Sequence, residues 1–171
     1  MESRTPVVVL GCYHEVQFVD PVPVYKEDQQ KFRALIESVV DEYEIRFIGE
    51  ESKQGKRSIA EDIAAGRGLK YVTVDIPLAV QSQIHKRPAR VLNEEKLEWE
   101  SLLESDKYAK AWSLVREFNM YKCFLEALAP NEPAILICGR VHVLSLVELL
   151  AKDVETVPIC FGPKFDHCCS T

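Results

Sequence analysis

Two histidines in this chain follow similar apolar runs. Residues 7–10 (VVVL) lead into Gly-Cys-Tyr-His14, and residues 135–138 (ILIC) lead into Gly-Arg-Val-His142. Each run has the length and composition of a buried strand, and each is followed by the pattern G-x-x-H. A parallel α/β sheet gathers its functional groups just beyond the carboxyl ends of its strands. We therefore expect the two imidazoles to meet at one site, although they are far apart in the chain.

Carboxylates are expected at the same edge of the sheet. Glu50 and Glu51 follow the second predicted strand, and Asp75 lies near the end of the third. Imidazole nitrogen and carboxylate oxygen both bind Zn, Mn or Fe, and a bound metal ion lowers the pKa of its water toward neutrality. The pattern predicts a divalent-metal site with His14, His142 and Glu50 as ligands. The other glutamate would act as a general base, and Asp75 would orient a histidine.

Each of these residues also has a plainer interpretation. The pair Glu50 and Glu51 is typical of a solvated loop, and strand alternation lets only one of them face a given direction. The position of Glu50 directly after Gly49 slightly favours Glu50 for the site. The glycines of the two motifs are expected where a tight turn requires positive φ. Arg116 and Glu117 lie mid-helix, where such a pair is usually on the surface.

The elements that must position these groups alternate along the chain. Strands are predicted at residues 6–12, 44–49, 71–76, 134–138 and 156–161, and helices at 25–43, 58–66, 93–103, 106–128 and 141–152. This order predicts a single α/β domain, residues 1–163, with a mostly parallel sheet of four or five strands and helices on both faces. Residues 164–171 are predicted to be a tail. Residues 78–92 are expected to be a loop over the site, in which Arg87 and Arg90 would bind an anionic substrate.

Composition and absent motifs exclude several classes of protein. The chain of 171 residues carries a formal charge of −6, which argues against nucleic-acid binding, and it contains no apolar run long enough for a membrane helix. It has no P-loop, no G-x-G-x-x-G after the first strand, no G-x-S-x-G and no H-E-x-x-H. The N-terminus lacks a signal-peptide pattern, so we expect a cytoplasmic protein with reduced cysteines.

At these residues the chain resembles the TraB/PrgY/TIKI group and its ChaN-like and erythromycin-esterase-like relatives. The resemblance lies in residues 9–14 with 48–51, and in residues 116–120 (REFNM) with 135–150 (ILICGRVHVLSLVELL). It implies a parallel α/β core with a site built from both G-x-x-H histidines and the second-strand glutamate. It also implies that Arg116 anchors a substrate or pairs with a carboxylate instead of lying on the surface.

Three hypotheses about function remain open at this point. The first is a small cytoplasmic metal-dependent hydrolase that acts on a small-molecule or peptide substrate, with Glu50, Glu51 and Arg116 as catalytic groups. The second is a non-catalytic module that binds a metal or a small ligand, or whose partner docks on the helices; a homo-oligomer is also left open. The third is that the histidines bind no metal and act with Glu50 as an acid/base pair on a ligand.

Overall fold

The structure, a computed structural model, describes residues 6–19, 23–51, 56–77, 79–81 and 100–162, with only the backbone described over 100–109. Five parallel strands form one sheet in the order β3-β2-β4-β1-β5. They are β1 (Pro6–Cys12), β2 (Phe47–Glu50), β3 (Lys70–Thr73), β4 (Ala134–Gly139) and β5 (Glu155–Cys160). The prediction of a single α/β domain with a parallel sheet is confirmed. The predicted tail and the predicted loop after Pro77 lie almost wholly outside the described residues.

Within the described ranges, four helices with defined bounds connect these strands and cover both faces of the sheet. Helices α1 (Lys26–Glu42) and α2 (Ile59–Arg67) pack on one face, while α3 (Glu100–Ala127) and α4 (Val143–Leu150) pack on the other. Parallel strands are joined by right-handed crossovers, so the face on which a helix lies depends on the direction of the step across the sheet. The steps from β1 to β2 to β3 run one way, and the steps from β3 to β4 and from β4 to β5 run the other way.

The central strands β1 and β4 are buried on both faces. Val8 and Leu10 of β1 face α1 and α2, whereas Val7 and Val9 face α3 and α4. This explains why the strand is a continuous apolar run instead of an alternating one. The edge strands β3 and β5 are only half-buried. Among the helices of the described residues, none combines the length and apolar character needed to cross a bilayer.

The long helix α3 differs from the sequence-based prediction. Two helices were expected, at residues 93–103 and 106–128, because Asp106 is a typical N-cap residue. The backbone instead forms one continuous helix from Glu100 to Ala127. Residues 104–108 contain neither Gly nor Pro, so nothing in their backbone chemistry forces a break.

The two glycines of the G-x-x-H motifs allow close packing, and neither of them has a positive φ. Gly139 has φ −60°, and among the described glycines only Gly68 and Gly162 have positive φ. A Cβ on Gly11 would overlap Val143 Cγ2 of α4. The expectation that these glycines relieve a strained turn is therefore wrong, and they are small because helix α4 and the site residues approach the strand ends closely.

Candidate functional site

The two G-x-x-H motifs lie side by side because β1 and β4 are neighbours in the sheet. Their register pairs Gly11 with Cys138 and Cys12 with Gly139. After β1 the chain turns toward the face of α1, and after β4 it turns toward the face of α4. Strands that diverge in this way open a crevice at their carboxyl ends, which is the usual position of a site in this class of sheet.

His14 lies at the mouth of this crevice, in a 3-10 turn after β1, and 53% of its side chain is exposed. Its Nδ1 is 3.2 Å from Gln17 Oε1. An amide oxygen only accepts hydrogen bonds, so we assign the ring proton to Nδ1. The unprotonated Nε2 then lies 3.8 Å from Glu51 Oε1.

His142 lies deeper in the crevice, between β4 and α4, and is 4% exposed. Its Nδ1 is 2.8 Å from Glu117 Oε1 of helix α3, and Ser113 Oγ donates to the same oxygen over 2.9 Å. The carboxylate fixes the proton on Nδ1 and leaves Nε2 as the free ring nitrogen. This Nε2 lies 3.9 Å from Glu51 Oε1, so both imidazoles direct Nε2 at the same carboxylate oxygen.

Glu51 is buried and ionised at the centre of this arrangement. Its Oε2 accepts the Gly139 backbone N–H over 2.6 Å, and its Oε1 accepts from Arg116 Nη2. Burial by itself would raise the pKa of Glu51. The Gly139 hydrogen bond, the Arg116 guanidinium and the two imidazoles whenever they carry a second proton outweigh burial, so the pKa is lowered.

Arg116 points into the crevice from α3 and bridges two carboxylates. Its Nη2 lies 2.6 Å from Asp75 Oδ2, and its Nε lies 3.2 Å from the same oxygen. Burial by itself would lower the pKa of Arg116, but the hydrogen bonds and charges of Asp75 and Glu51 raise it. The surface position expected from spacing alone is therefore wrong, and carboxylate pairing, which the resemblance implied, is what the side chain does. Asp75 holds this arginine, and Gln81 donates to Asp75 over 3.0 Å.

Glu50 belongs to a different set of contacts. Its Oε2 accepts from Ser58 Oγ over 2.5 Å and from Tyr71 Oη over 2.6 Å, on the side of the sheet that α2 covers. Burial and the nearby Glu50 carboxylate raise the pKa of Tyr71, so Tyr71 remains a donor. The glutamate that the structure brings to the two histidines is thus Glu51, whereas the sequence slightly favoured Glu50.

The side chains of the crevice do not fit the expected metal ion. In the parts of the chain that the structure describes, no three His, Cys, Asp or Glu side chains are arranged to hold one. The reason is visible at Glu51, because the cation bound to its Oε1 is the Arg116 guanidinium. A metal ion bound to Glu51 Oε1 would lie about 2.0–2.2 Å from that oxygen. Arg116 Nη2 already occupies this space.

Two residues of the site were not predicted from the sequence as functional. Glu117 was treated with Arg116 as a surface residue, yet it is 3% exposed and holds His142. The signal was present, because Glu117, Met120 and Phe124 follow the i, i+3, i+7 spacing of one buried helix face. Gln17 holds His14 and carries no pattern that could have revealed it. Arg87 and Arg90, the expected substrate-binding residues, lie outside the described residues.

Comparison with models of protein families, with curated protein sequences and with solved structures gives no match to this chain. The resemblance to TraB-like and ChaN-like proteins therefore depends only on the short segments named above, which are residues 9–14, 48–51, 116–120 and 135–150.

Proposed function

We propose that this protein is a small cytoplasmic hydrolase in which two imidazoles, and not a metal ion, accept and donate the protons of the reaction. The substrate class we propose is a small molecule or a peptide with a hydrolysable ester or amide bond. The cytoplasmic location is part of the proposal, and free thiols at the four described cysteines are compatible with it.

One observation carries the proposal. The Nε2 atoms of His14 and His142 lie 3.8 and 3.9 Å from the same oxygen of Glu51, and each ring has its Nδ1 bound to an oxygen acceptor. Two proton-accepting nitrogens and one carboxylate oxygen therefore converge on one space. A water molecule in that space would donate one proton to each imidazole nitrogen, because Glu51 Oε1 already accepts from Arg116.

His142 is the better candidate for the general base. It is buried, and Glu117 orients its ring and would stabilise the imidazolium that forms when Nε2 takes a proton from water. This arrangement follows the logic of other carboxylate–histidine pairs, in which the carboxylate holds the tautomer without itself being protonated.

His14 is the better candidate for the general acid. It lies at the exposed mouth of the crevice, where a leaving group would depart and where its ring can exchange protons with solvent. In the proposed reaction, His14 Nε2 first takes a proton from solvent at the mouth of the crevice. Water then adds to the carbonyl carbon while one of its protons passes to His142 Nε2. The bond from the carbonyl carbon to the leaving group breaks, the leaving group takes the proton from His14 Nε2, and His142 releases its proton to solvent.

Arg116 would act on the site through Glu51 and Asp75. The Arg116 guanidinium already donates to both carboxylates. We therefore assign it the role of holding Glu51 in place and offsetting the negative charge of the crevice. The expected role of Arg116 as a direct substrate anchor has less support than this positioning role.

The test is the hydrolysis of a panel of esters and amides by the full chain and by His14→Ala and His142→Ala. Removing a general acid or base typically costs roughly 10²–10⁴-fold in rate, so we expect a loss of this size in each variant. Glu15→Ala and Val141→Ala, which change exposed neighbours of the two histidines, serve as matched controls and should retain activity.

Two outcomes would count against the proposal. If the parent turns over no member of the panel but binds one of them, and if this binding is lost in both histidine variants, the site is a ligand-binding module. If activity survives in His142→Ala, the imidazole pair is not the source of catalysis.

A further inference from the structure

Helices α3 and α4 expose apolar side chains on the face that points away from the sheet. Leu114 and Phe118, one turn apart on α3, are 63% and 57% exposed. Single exposed apolar side chains are common, but neighbouring ones that border a depression are typical of an interaction surface. We call this surface the α3–α4 face, defined by Leu114, Phe118, Glu148, Leu149 and Lys152.

A groove with a volume of about 430 Å³ runs between the two helices on this face. Leu114 and Phe118 line it from α3, and Leu149 lines it from α4. The same face therefore carries both projecting apolar side chains and a depression that apolar side chains can fill. This combination allows the surface to be complementary to itself.

The charges at the rim of the groove are also self-complementary. Glu148 lies on α4 and Lys152 lies in the turn that follows it, and both line the groove. Their spacing of four residues is the one at which opposite charges often pair along a helix. Lys122 and Glu126 on α3 form such a pair, with 3.7 Å between Nζ and Oε1. Within the described part of the chain, Glu148 and Lys152 form no ion pair with each other or with another residue. An antiparallel copy of α4 would bring each of them opposite its counterpart.

We propose that the α3–α4 face is the interface of a dimer of this chain with two-fold symmetry. The two-fold axis would lie in the plane of the interface. It would pass over α3 between Leu114 and Phe118, and over the C-terminal end of α4 between Glu148 and Lys152. Each helix then packs antiparallel to its own copy. Leu114 meets Phe118 of the second copy, and Glu148 meets Lys152 of the second copy, each contact occurring twice.

This interface would lie directly behind the imidazole site. Glu117 lines the groove, and its Oε1 accepts the hydrogen bond from His142. Dimer formation would therefore cover the rear of the Glu117–His142 pair without obstructing the crevice, into which the Nε2 atoms point.

The first experiment measures the mass of the full chain by sedimentation over a range of micromolar concentrations. We expect a dimer for the parent, and we expect Phe118→Asp to raise its dissociation constant by roughly 100-fold or more, because the change acts twice at the centre of the contact. Val24→Asp, at a residue that is 76% exposed beside α1, is the matched control and should leave the dimer intact. Circular dichroism of each variant checks that the chain remains folded.

The second experiment uses charge reversal and does not depend on the apolar side chains. Glu148→Lys and Lys152→Glu should each weaken the dimer by about tenfold, because each places like charges opposite one another. A mixture of these two single variants should form a heterodimer, and the double variant should recover the affinity of the parent. Only a two-fold contact that exchanges these two positions gives this pattern.

Three results would overturn the proposal. The first is a parent that is a monomer throughout the concentration range, and the second is a dimer that Phe118→Asp leaves unchanged. The third is a pair of charge variants that do not recover affinity when mixed. A parent that remains monomeric but binds a small apolar ligand in the groove would assign the face to that ligand instead.

Discussion

Glu50 and Glu51 are adjacent in the chain, yet their carboxylates bind groups on opposite faces of the sheet. Glu50 accepts from Ser58 and Tyr71 beneath α2, and Glu51 accepts from Gly139 and from Arg116 of α3. Both are 1% exposed. The sheet thus buries two neighbouring carboxylates, each with its own donors, and only one of them faces the imidazoles.

The contribution of Glu51 to stability is expected to depend on pH. Its pKa is lowered in the folded protein, so the folded chain binds this proton less tightly than the unfolded chain does. The stabilisation is therefore present above the pKa of Glu51 in the unfolded chain, about 4.3. It is lost as the pH falls through the lower pKa of Glu51 in the folded protein. Glu51→Gln should lower the free energy of unfolding at neutral pH by about 1.5–3 kcal/mol. The amide replaces the charge-assisted hydrogen bonds from Gly139 and Arg116 with weaker ones, although Asp75 still pairs with Arg116.

Urea unfolding at a series of pH values measures this effect. The difference between the parent and Glu51→Gln should shrink as the pH is lowered below about 4. Glu15→Gln, at an exposed position beside His14, is the control and should show no such dependence. A difference that stays constant down to acid pH would show that the loss is one of packing and not of charge.

Glu117→Gln is expected to let the neutral His142 ring carry its proton on either Nδ1 or Nε2. An amide at this position can present either an acceptor or a donor to Nδ1, so the ring is no longer held with its proton on Nδ1. The rate of hydrolysis should fall by roughly 10²–10⁴-fold. The ¹⁵N chemical shifts of the His142 ring should move toward those of a mixture of tautomers, a change that a merely structural role would not cause.

Glu126→Gln provides the comparison for that variant. Glu126 lies on the same helix, is exposed and pairs only with Lys122 in the contacts described. Both the rate and the His142 ring shifts should match the parent. Unchanged ring shifts in Glu117→Gln would mean that this carboxylate does not set the tautomer.

Gly139→Ala should impair the site more than the fold. The added Cβ would lie 3.2 Å from Glu51 Oε2 and 3.2 Å from His14 Nε2. Because the ring of His14 is half-exposed it can move away, so the loss of stability should stay within about 1 kcal/mol. Displacement of Nε2 should lower the rate by up to about 10²-fold. Gly66→Ala in α2, where a Cβ meets no atom within 4 Å, should stabilise the protein by about 0.5–1 kcal/mol and leave the rate unchanged.

Gly11 and Val143 are expected to be energetically coupled. A Cβ on Gly11 would overlap the Val143 side chain, so Gly11→Ala should destabilise the protein by about 1–3 kcal/mol. Val143→Ala removes the obstructing methyl groups, and the double variant should cost less than the two single variants together by about 1 kcal/mol. Additive losses in urea unfolding would mean that the backbone, and not this contact, absorbs the change.

Chelation is expected to leave activity unchanged. Among the residues whose structure is described, the side chains around Glu51 do not form a metal-binding group, and Arg116 supplies the cation at its Oε1. Dialysis of the untagged protein against EDTA should therefore leave the rate of hydrolysis within experimental error, and elemental analysis should find no stoichiometric metal. Loss of activity that added Zn²⁺, Mn²⁺ or Fe²⁺ restores would reinstate the metal-dependent mechanism.

The fold and the meeting of the two histidines could be predicted from the sequence, because both follow from local patterns. Strand length, helix periodicity and the rule that sites lie at carboxyl strand ends together bring His14 and His142 to one edge. The choice between Glu50 and Glu51 could not be made in the same way. The two are one residue apart, and Glu51 lies just beyond β2, where the alternation of the strand no longer fixes its direction.

Helical spacing places Glu117 on the buried face of α3, but it does not identify the group that Glu117 contacts. Glu117 approaches His142 from a helix whose rotation about its axis depends on how Met120 and Phe124 pack beneath the sheet. That packing involves Gly49, where a Cβ would overlap the Phe124 ring. The rotation of α3 is thus fixed by a contact between β2 and α3 that the sequence around Arg116 does not indicate.

The position of β1 between β4 and β5 has a consequence for biosynthesis. Both neighbours of β1 are the last two of the described strands to leave the ribosome, and Cys12 lies beside Cys138, 126 residues later. A nascent chain must therefore carry β1 as an unpaired apolar segment until β4 and β5 have been translated. Such long-range pairing is slow and leaves strand edges exposed to aggregation, so cellular yield should depend on chaperones that shield this segment.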